Sequence, residues 1–166
     1  MAHPIEDYLE LSIGVVNYVG GLPLALEVLG SYLLGRSIIK WKSAMKKLQK
    51  IPHNQIQKIL RISFDSLDDD TVKNIFLDIA CFFIDMEKEY ASKILCGCGF
   101  FPDIGINILI QRSLMTINDI NELRMHDIIR DMGREIVREK SPNDPGKHSR
   151  LWFHEDVLNV LNKHMV

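Results

Sequence analysis

The chain has 166 residues, 46% hydrophobic and 25% charged, with a formal net charge of −2. These proportions are those of a soluble globular protein of one ordinary or two small domains and exclude a disordered tail, and the near-balance of charge gives no global field toward nucleic acid or an anionic membrane. Cys81, Cys96 and Cys98 are sparse and odd in number, which fits a reducing compartment, and the single residue between the last two does not match a zinc knuckle.

The opening MAHPIEDYLELS lacks the basic start and apolar core of a signal peptide. Ile5, Leu9, Ile13, Val16 and Val19 then recur at spacings of three and four, which predicts a helix buried along that face. Gly20 and Gly21 break it, and Pro23 suits the first turn of a second helix, where a missing N–H costs nothing. This helix, LPLALEVLGSYLL, is apolar on most sides and is expected at the centre of a bundle. It is not read as a membrane span, because it carries Glu27 and Pro23 and falls short of about 20 apolar residues. Gly35 ends it. A third helix follows, with Ser37 as N-cap and Ile38, Trp41, Met45 and Leu48 buried. Its Lys40, Lys42, Lys46, Lys47 and Lys50 gather toward the C-terminal end, where the helix dipole favours cations, and read as a solvated face rather than a phosphate-binding patch. A fourth helix turns Ile56, Ile59, Leu60 and Phe64 inward, so residues 1–66 are expected to form a small helical bundle.

DSLDDD offers acidic N-caps for the helix TVKNIFLDIACFFI, and two short helices follow near residues 88–96 and 103–111. SLMTI and ELRM, joined by the turn-forming NDIN, predict a β-hairpin. RMHDIIRDMGREIV then starts a helix with Asp127 as its expected N-cap and His126 just outside. Ile128, Ile129, Met132, Ile136 and Val137 are expected on its buried side, and Asp127–Arg130, Asp131–Arg134 and Glu135–Arg138 as a solvated ladder of ion pairs. Three helices, a hairpin and a helix give a winged-helix order over residues 67–140. Residues 141–166 read as a loop, a short extended piece and a last helix. The fold class expected is mainly α: a small helical bundle followed by a winged-helix domain with a short β-hairpin.

The phosphate-loop pattern is absent, as are G-x-G-x-x-G, H-E-x-x-H and G-x-S-x-G. No catalytic residue, enzyme activity or metal site is therefore expected. A winged helix that read DNA would present basic and amide side chains from its third helix. Here that helix supplies Asn107, Gln111 and one cation, Arg112, with Asp103 near its start, too few for a phosphate-neutralising surface. A DNA-binding or protein-interaction adaptor remains the alternative reading. For His126, a metal or a catalytic-base role lacks partners, and the residues favour a hydrogen-bonded structural histidine over a ligand contact.

GLPLAL at positions 21–26, FLDIACFF at 76–83 and MHD at 125–127 stand in the order and spacing of plant intracellular immune receptors, the nucleotide-binding, leucine-rich-repeat disease resistance proteins. ISFDSL, MGREIV and SRLW resemble the class with a Toll/interleukin-receptor domain. The resemblance covers essentially the whole chain. It implies a fragment, the GLPL-bearing helical domain and the Met-His-Asp winged helix, without the nucleotide-binding core and the leucine-rich repeats. It further implies that Gly21, Leu22, Pro23 and Leu24 lie at the nucleotide, with Pro23 near the adenine and ribose of ADP. His126 would reach the β-phosphate and close the resting state, with Met125 and Asp127 as switch and structural neighbours. A histidine near an anion favours its protonated form and a charge-assisted bond. Exchange of ADP for ATP would open the receptor, in defence signalling from the cytoplasm or nucleus. The implied partners are the core and repeats of the intact protein, and other copies on activation, with no membrane. The chain alone is expected to bind ADP weakly or not at all.

Overall fold

The computed structural model describes residues 4–19, 22–50, 55–140, 142 and 144–164. The chain divides into two compact units, up to Ser66 and from Leu67 onward.

The first unit contains α1 (Pro4–Val19), α2 (Pro23–Leu33), α3 (Ile38–Leu48) and α4 (Ile56–Asp65). The second helix packs on α1 and α4 and buries Ala25, Val28, Leu29 and Leu33. Gly35 takes a left-handed φ of 71°, which a glycine adopts without steric cost, and ends that helix as expected. The carbonyls freed there are met by side chains: the Trp41 indole donates to Leu33 O at 3.0 Å, and the Tyr8 hydroxyl to Arg36 O at 3.0 Å. The two rings meet edge to face, 5.6 Å between centroids. Ser37 holds the N-cap position of α3, but its hydroxyl makes no capping bond.

Of the expected buried stripe of α1, Val19 is buried but Leu9, Ile13 and Val16 are at least half exposed, the side chain of Ile5 lies outside the described residues, and Val15, off the stripe, is buried. Tyr8 anchors the helix from a different side, through its ring on Trp41 and its hydroxyl on Arg36. The helix is apolar over a wide arc, so spacing alone did not fix which side meets α2 and α3.

The second unit opens with α5 (Asp70–Asp78), α6 (Lys88–Gly97) and α7 (Pro102–Gln111), then β1 (Thr116–Ile117) and β2 (Leu123–Arg124), then α8 (Asp127–Glu139) and α9 (His154–His164). Asp69 caps α5, its carboxylate accepting from Thr71 N at 2.7 Å. Residues Ile79–Phe83 continue α5 as a π-turn, which the sequence had suggested as plain helix. The strands pair antiparallel, Thr116 with Arg124 and Ile117 with Leu123. Their turn is built by Asn118, whose side-chain oxygen accepts from Ile120 N and Glu122 N, and by Asn121 in a left-handed conformation. The segment after the π-turn runs along β2: Asp85 N donates to Leu123 O and Leu123 N to Met86 O, both at 2.9 Å. Thus the architecture is mainly helical with a two-stranded antiparallel hairpin. The last helix also falls within this second unit.

Candidate functional site

The junction between β2 and α8 is fixed from both sides. Beneath it, Arg124 reaches Asp85, which stands in a left-handed turn after the π-turn. Met125 is half buried, and His126 and Asp127 are exposed.

The N-cap of α8 is His126, not Asp127. The His126 backbone is extended, with φ −64° and ψ 140°, and its Nδ1 accepts from Ile128 N at 3.2 Å. Asp127 is already the first helical residue. Its carboxylate instead accepts from Arg130 Nη1 at 2.8 Å, one pair of the expected ladder. The rest of that ladder does not form as expected. Arg130 also donates to the adjacent Asp131, from Nε at 3.0 Å and Nη2 at 2.8 Å. Arg134 turns under the helix and donates from Nε to Ala80 O at 3.1 Å, a carbonyl of the π-turn. Arg138 lies over the Trp152 ring, 5.3 Å from its centroid, with Arg134 at 6.0 Å. The courses of Arg134 and Arg138 follow from partners far away in sequence, which the local i, i+3 spacing cannot register.

The buried side of α8 is Ile129, Met132, Gly133, Ile136 and Val137, with Ile128 only half buried. Gly133 is there for contact. A Cβ at that position would sit 2.8 Å from Ala80 Cβ and 3.0 Å from the Phe76 ring, so α8 rests directly on α5 and the π-turn. The last segment is pinned to the same place. Arg150 Nε bonds Asp78 Oδ1 at 2.5 Å, and its Nη2 donates to Asn74 O at 3.2 Å and Asn74 Oδ1 at 3.1 Å. The FLDIACFF, MGREIV and SRLW stretches therefore meet around one π-turn. SRLW contains Arg150 and Trp152 but does not show what they hold, and Arg134 was expected in the solvated ladder rather than at the π-turn.

Among the other candidate residues, Gly21 lies outside the described residues. Leu22 is the N-cap residue of α2 and 41% exposed, Pro23 is its first helical residue and exposed, and Leu24 is half buried. Leu22 and Pro23 thus offer an apolar surface at the start of a helix, while Ala25, two residues after Pro23, is fully buried. Pro23 and His126 belong to different units.

The remaining chemistry is limited. Burial pushes the Cys81 thiol up to about 11, against the lowering effect of the nearby Arg150 and Arg134. Cys96 and Cys98 are free and exposed. Among the described residues there is no group of three His, Cys, Asp or Glu side chains fit to hold a metal, and no helix long and apolar enough to cross a membrane. At the start of α7, Phe101 just before it and Ile104 within it are 72% and 65% exposed, beside Asp103, which is not the basic and amide face that groove readout requires.

Residues 69–141 match the winged-helix domain of Roq1-like disease resistance proteins. Over 158 residues, or 95% of its length, the chain is 49% identical to disease resistance protein RUN1 and 47% identical to disease resistance protein RPV1, both of Vitis rotundifolia. It is 42% identical over 159 residues, 96% of its length, to TMV resistance protein N of Nicotiana glutinosa. The chain spans 12%, 11% and 14% of the lengths of these three relatives. With its helical architecture, its hairpin and the ordered motifs around the π-turn, the chain belongs to the plant disease resistance proteins of the nucleotide-binding, leucine-rich-repeat family and Toll/interleukin-receptor class.

Proposed function

We propose that this chain is the switch portion of a plant immune receptor: a GLPL-bearing helical domain over residues 1–66 and a winged helix over 67–140, with 141–166 leading onward. In this reading it performs no catalysis. It closes on ADP held by a nucleotide-binding core and releases when ATP replaces it. Pro23 packs against the adenine and ribose, flanked by Gly21, Leu22 and Leu24, and His126 holds the β-phosphate. Met125 and Asp127 fix the strand-to-helix junction that carries the histidine.

The observation that carries this reading is the bond from Ile128 N to His126 Nδ1. An Nδ1 that accepts a hydrogen bond holds no proton, so the neutral ring carries its proton on Nε2. The exposed His126 thereby offers one oriented donor, and a phosphate oxygen is a strong acceptor for it. A ligand that bonds this donor in one state and not in the other shifts the equilibrium by that difference in free energy.

The test joins the chain to the nucleotide-binding core of a relative and follows dissociation of bound ADP. His126→Ala is expected to speed dissociation by about tenfold or more, the loss of one hydrogen bond to a charged group. Unchanged dissociation would reject the latch. Sub-micromolar ADP binding by the 166-residue chain alone would contradict the division of labour between chain and core.

A further inference from the structure

Between Glu27 and Asp65 the sequence carries eight Lys or Arg residues and no Asp or Glu. Four of the eight converge. Lys47 and Lys50, at and just beyond the end of α3, and Lys58 and Arg61 of α4 line one cleft of about 330 Å³, with Tyr32 of α2 and a single carboxylate, Asp65. Asp65 is engaged by Arg61 at 3.6 Å, and among the described residues Lys47, Lys50 and Lys58 form no ion pair. A fifth cation backs the wall: Arg36 lies 4.2 Å from the Tyr32 ring centroid and donates from Nε to Tyr32 O at 2.5 Å.

Helix electrostatics explains only part of this arrangement. Lys46 and Lys47 occupy the last turn of α3, where the dipole favours a cation. Lys58 occupies the first turn of α4, where the same effect disfavours one. A small helical unit gains nothing from gathering four like charges around a concavity, and an anion bound among them removes the repulsion.

We propose that this cleft binds a compact polyphosphate, a small molecule carrying two or more phosphate groups. Its volume lies at the lower end of the range for small-molecule sites and is far below what a nucleic-acid duplex occupies. Lysines predominate, and as flexible point charges they suit clustered phosphates without a fixed planar geometry. The Tyr32 ring forms a flat wall beside them. This site lies within residues 1–66 and is independent of the His126 latch.

The test is calorimetric titration of the 166-residue chain with sodium tripolyphosphate at about 150 mM salt, where the Debye length is about 8 Å. One saturable site is expected, with inorganic monophosphate at least about tenfold weaker. The Lys50→Gln/Lys58→Gln pair is expected to weaken binding about tenfold or more, and Lys40→Gln/Lys42→Gln, on α3 but outside the cleft, by less than about twofold. His126→Ala is expected to leave the titration unchanged, which separates this site from the latch. Circular dichroism checks that each variant keeps its helices. Equal weakening by both lysine pairs would reduce the effect to a diffuse field and overturn the site. So would the absence of saturable tripolyphosphate binding, including a result in which only duplex DNA or vesicles bearing phosphorylated inositol lipids bind.

Discussion

At the N-terminus of α8 the Ile128 N–H is one of the four amides that a helix cannot satisfy internally, and the His126 ring meets it. The cap uses Nδ1 and the proposed latch would use Nε2, so the two can be separated by substitution. His126→Asn keeps a side-chain acceptor at the N-cap, where asparagine is among the preferred residues, but is too short to extend a donor outward. It is expected to unfold within about 0.5 kcal/mol of the parent in urea, whereas His126→Ala loses about 1 kcal/mol with the cap. In the protein joined to a core, both variants should release ADP faster. If His126→Asn retained ADP like the parent, the ring's second nitrogen would have no part in the latch. The site's place in the chain, between strand and helix, was legible in the sequence. Its chemistry was not: Asp127 and His126 are adjacent and both can cap, and a helix start displaced by one residue exchanges their roles.

The same limit recurs at the level of elements. Apolar spacing and turn chemistry brought out all four helices of the first unit, the hairpin and α8, because each is a local signal. The packed face of α1, the π-turn and the inward course of Arg134 depend on partners in other elements, so no local pattern carries them. The clearest instance is the strap at residues 148–152, which sequence leaves as the end of a loop and a short extended piece yet which is fastened by Arg150 to Asp78 and Asn74. The Arg150 and Asp78 side chains are only 10% and 17% exposed. Arg150→Ala would strand a largely buried carboxylate and an amide carbonyl at once. It is expected to cost about 2–4 kcal/mol in urea unfolding, close to the penalty for a buried charge left without its partner. Amide exchange at Leu151 and Trp152 should accelerate with it. A loss below about 0.5 kcal/mol, the range of an ordinary exposed pair, would show the strap to be incidental.

For the molecule as a whole, the net charge of −2 conceals a division. Residues 1–66 hold eight Lys or Arg against five Asp or Glu, and residues 67–166 hold twelve against seventeen. The overall balance excludes a global field but not a local one, so composition could not reveal the basic cleft. The two units also differ in core. The first, of 66 residues, buries Val28, Leu29, Leu33, Leu48, Ile59, Leu60 and Phe64 and leaves Leu9, Ile13 and Val16 at least half exposed, and the larger second unit packs α5 and its π-turn under α7 and α8 while leaving Phe101 and Ile104 exposed. A helical unit of this size with part of its apolar surface uncovered is marginal. Amides at residues 60–64 of α4 are therefore expected to exchange at least about tenfold faster than those at 75–79, corrected for intrinsic rates, as cooperative units of unequal stability do. Tripolyphosphate should slow the first set and leave the second unchanged, because a ligand stabilises only the unit that binds it. Equal protection in both sets would show that the chain opens as one unit. Slowing of both sets by tripolyphosphate would carry the same meaning and deny the cleft a local effect.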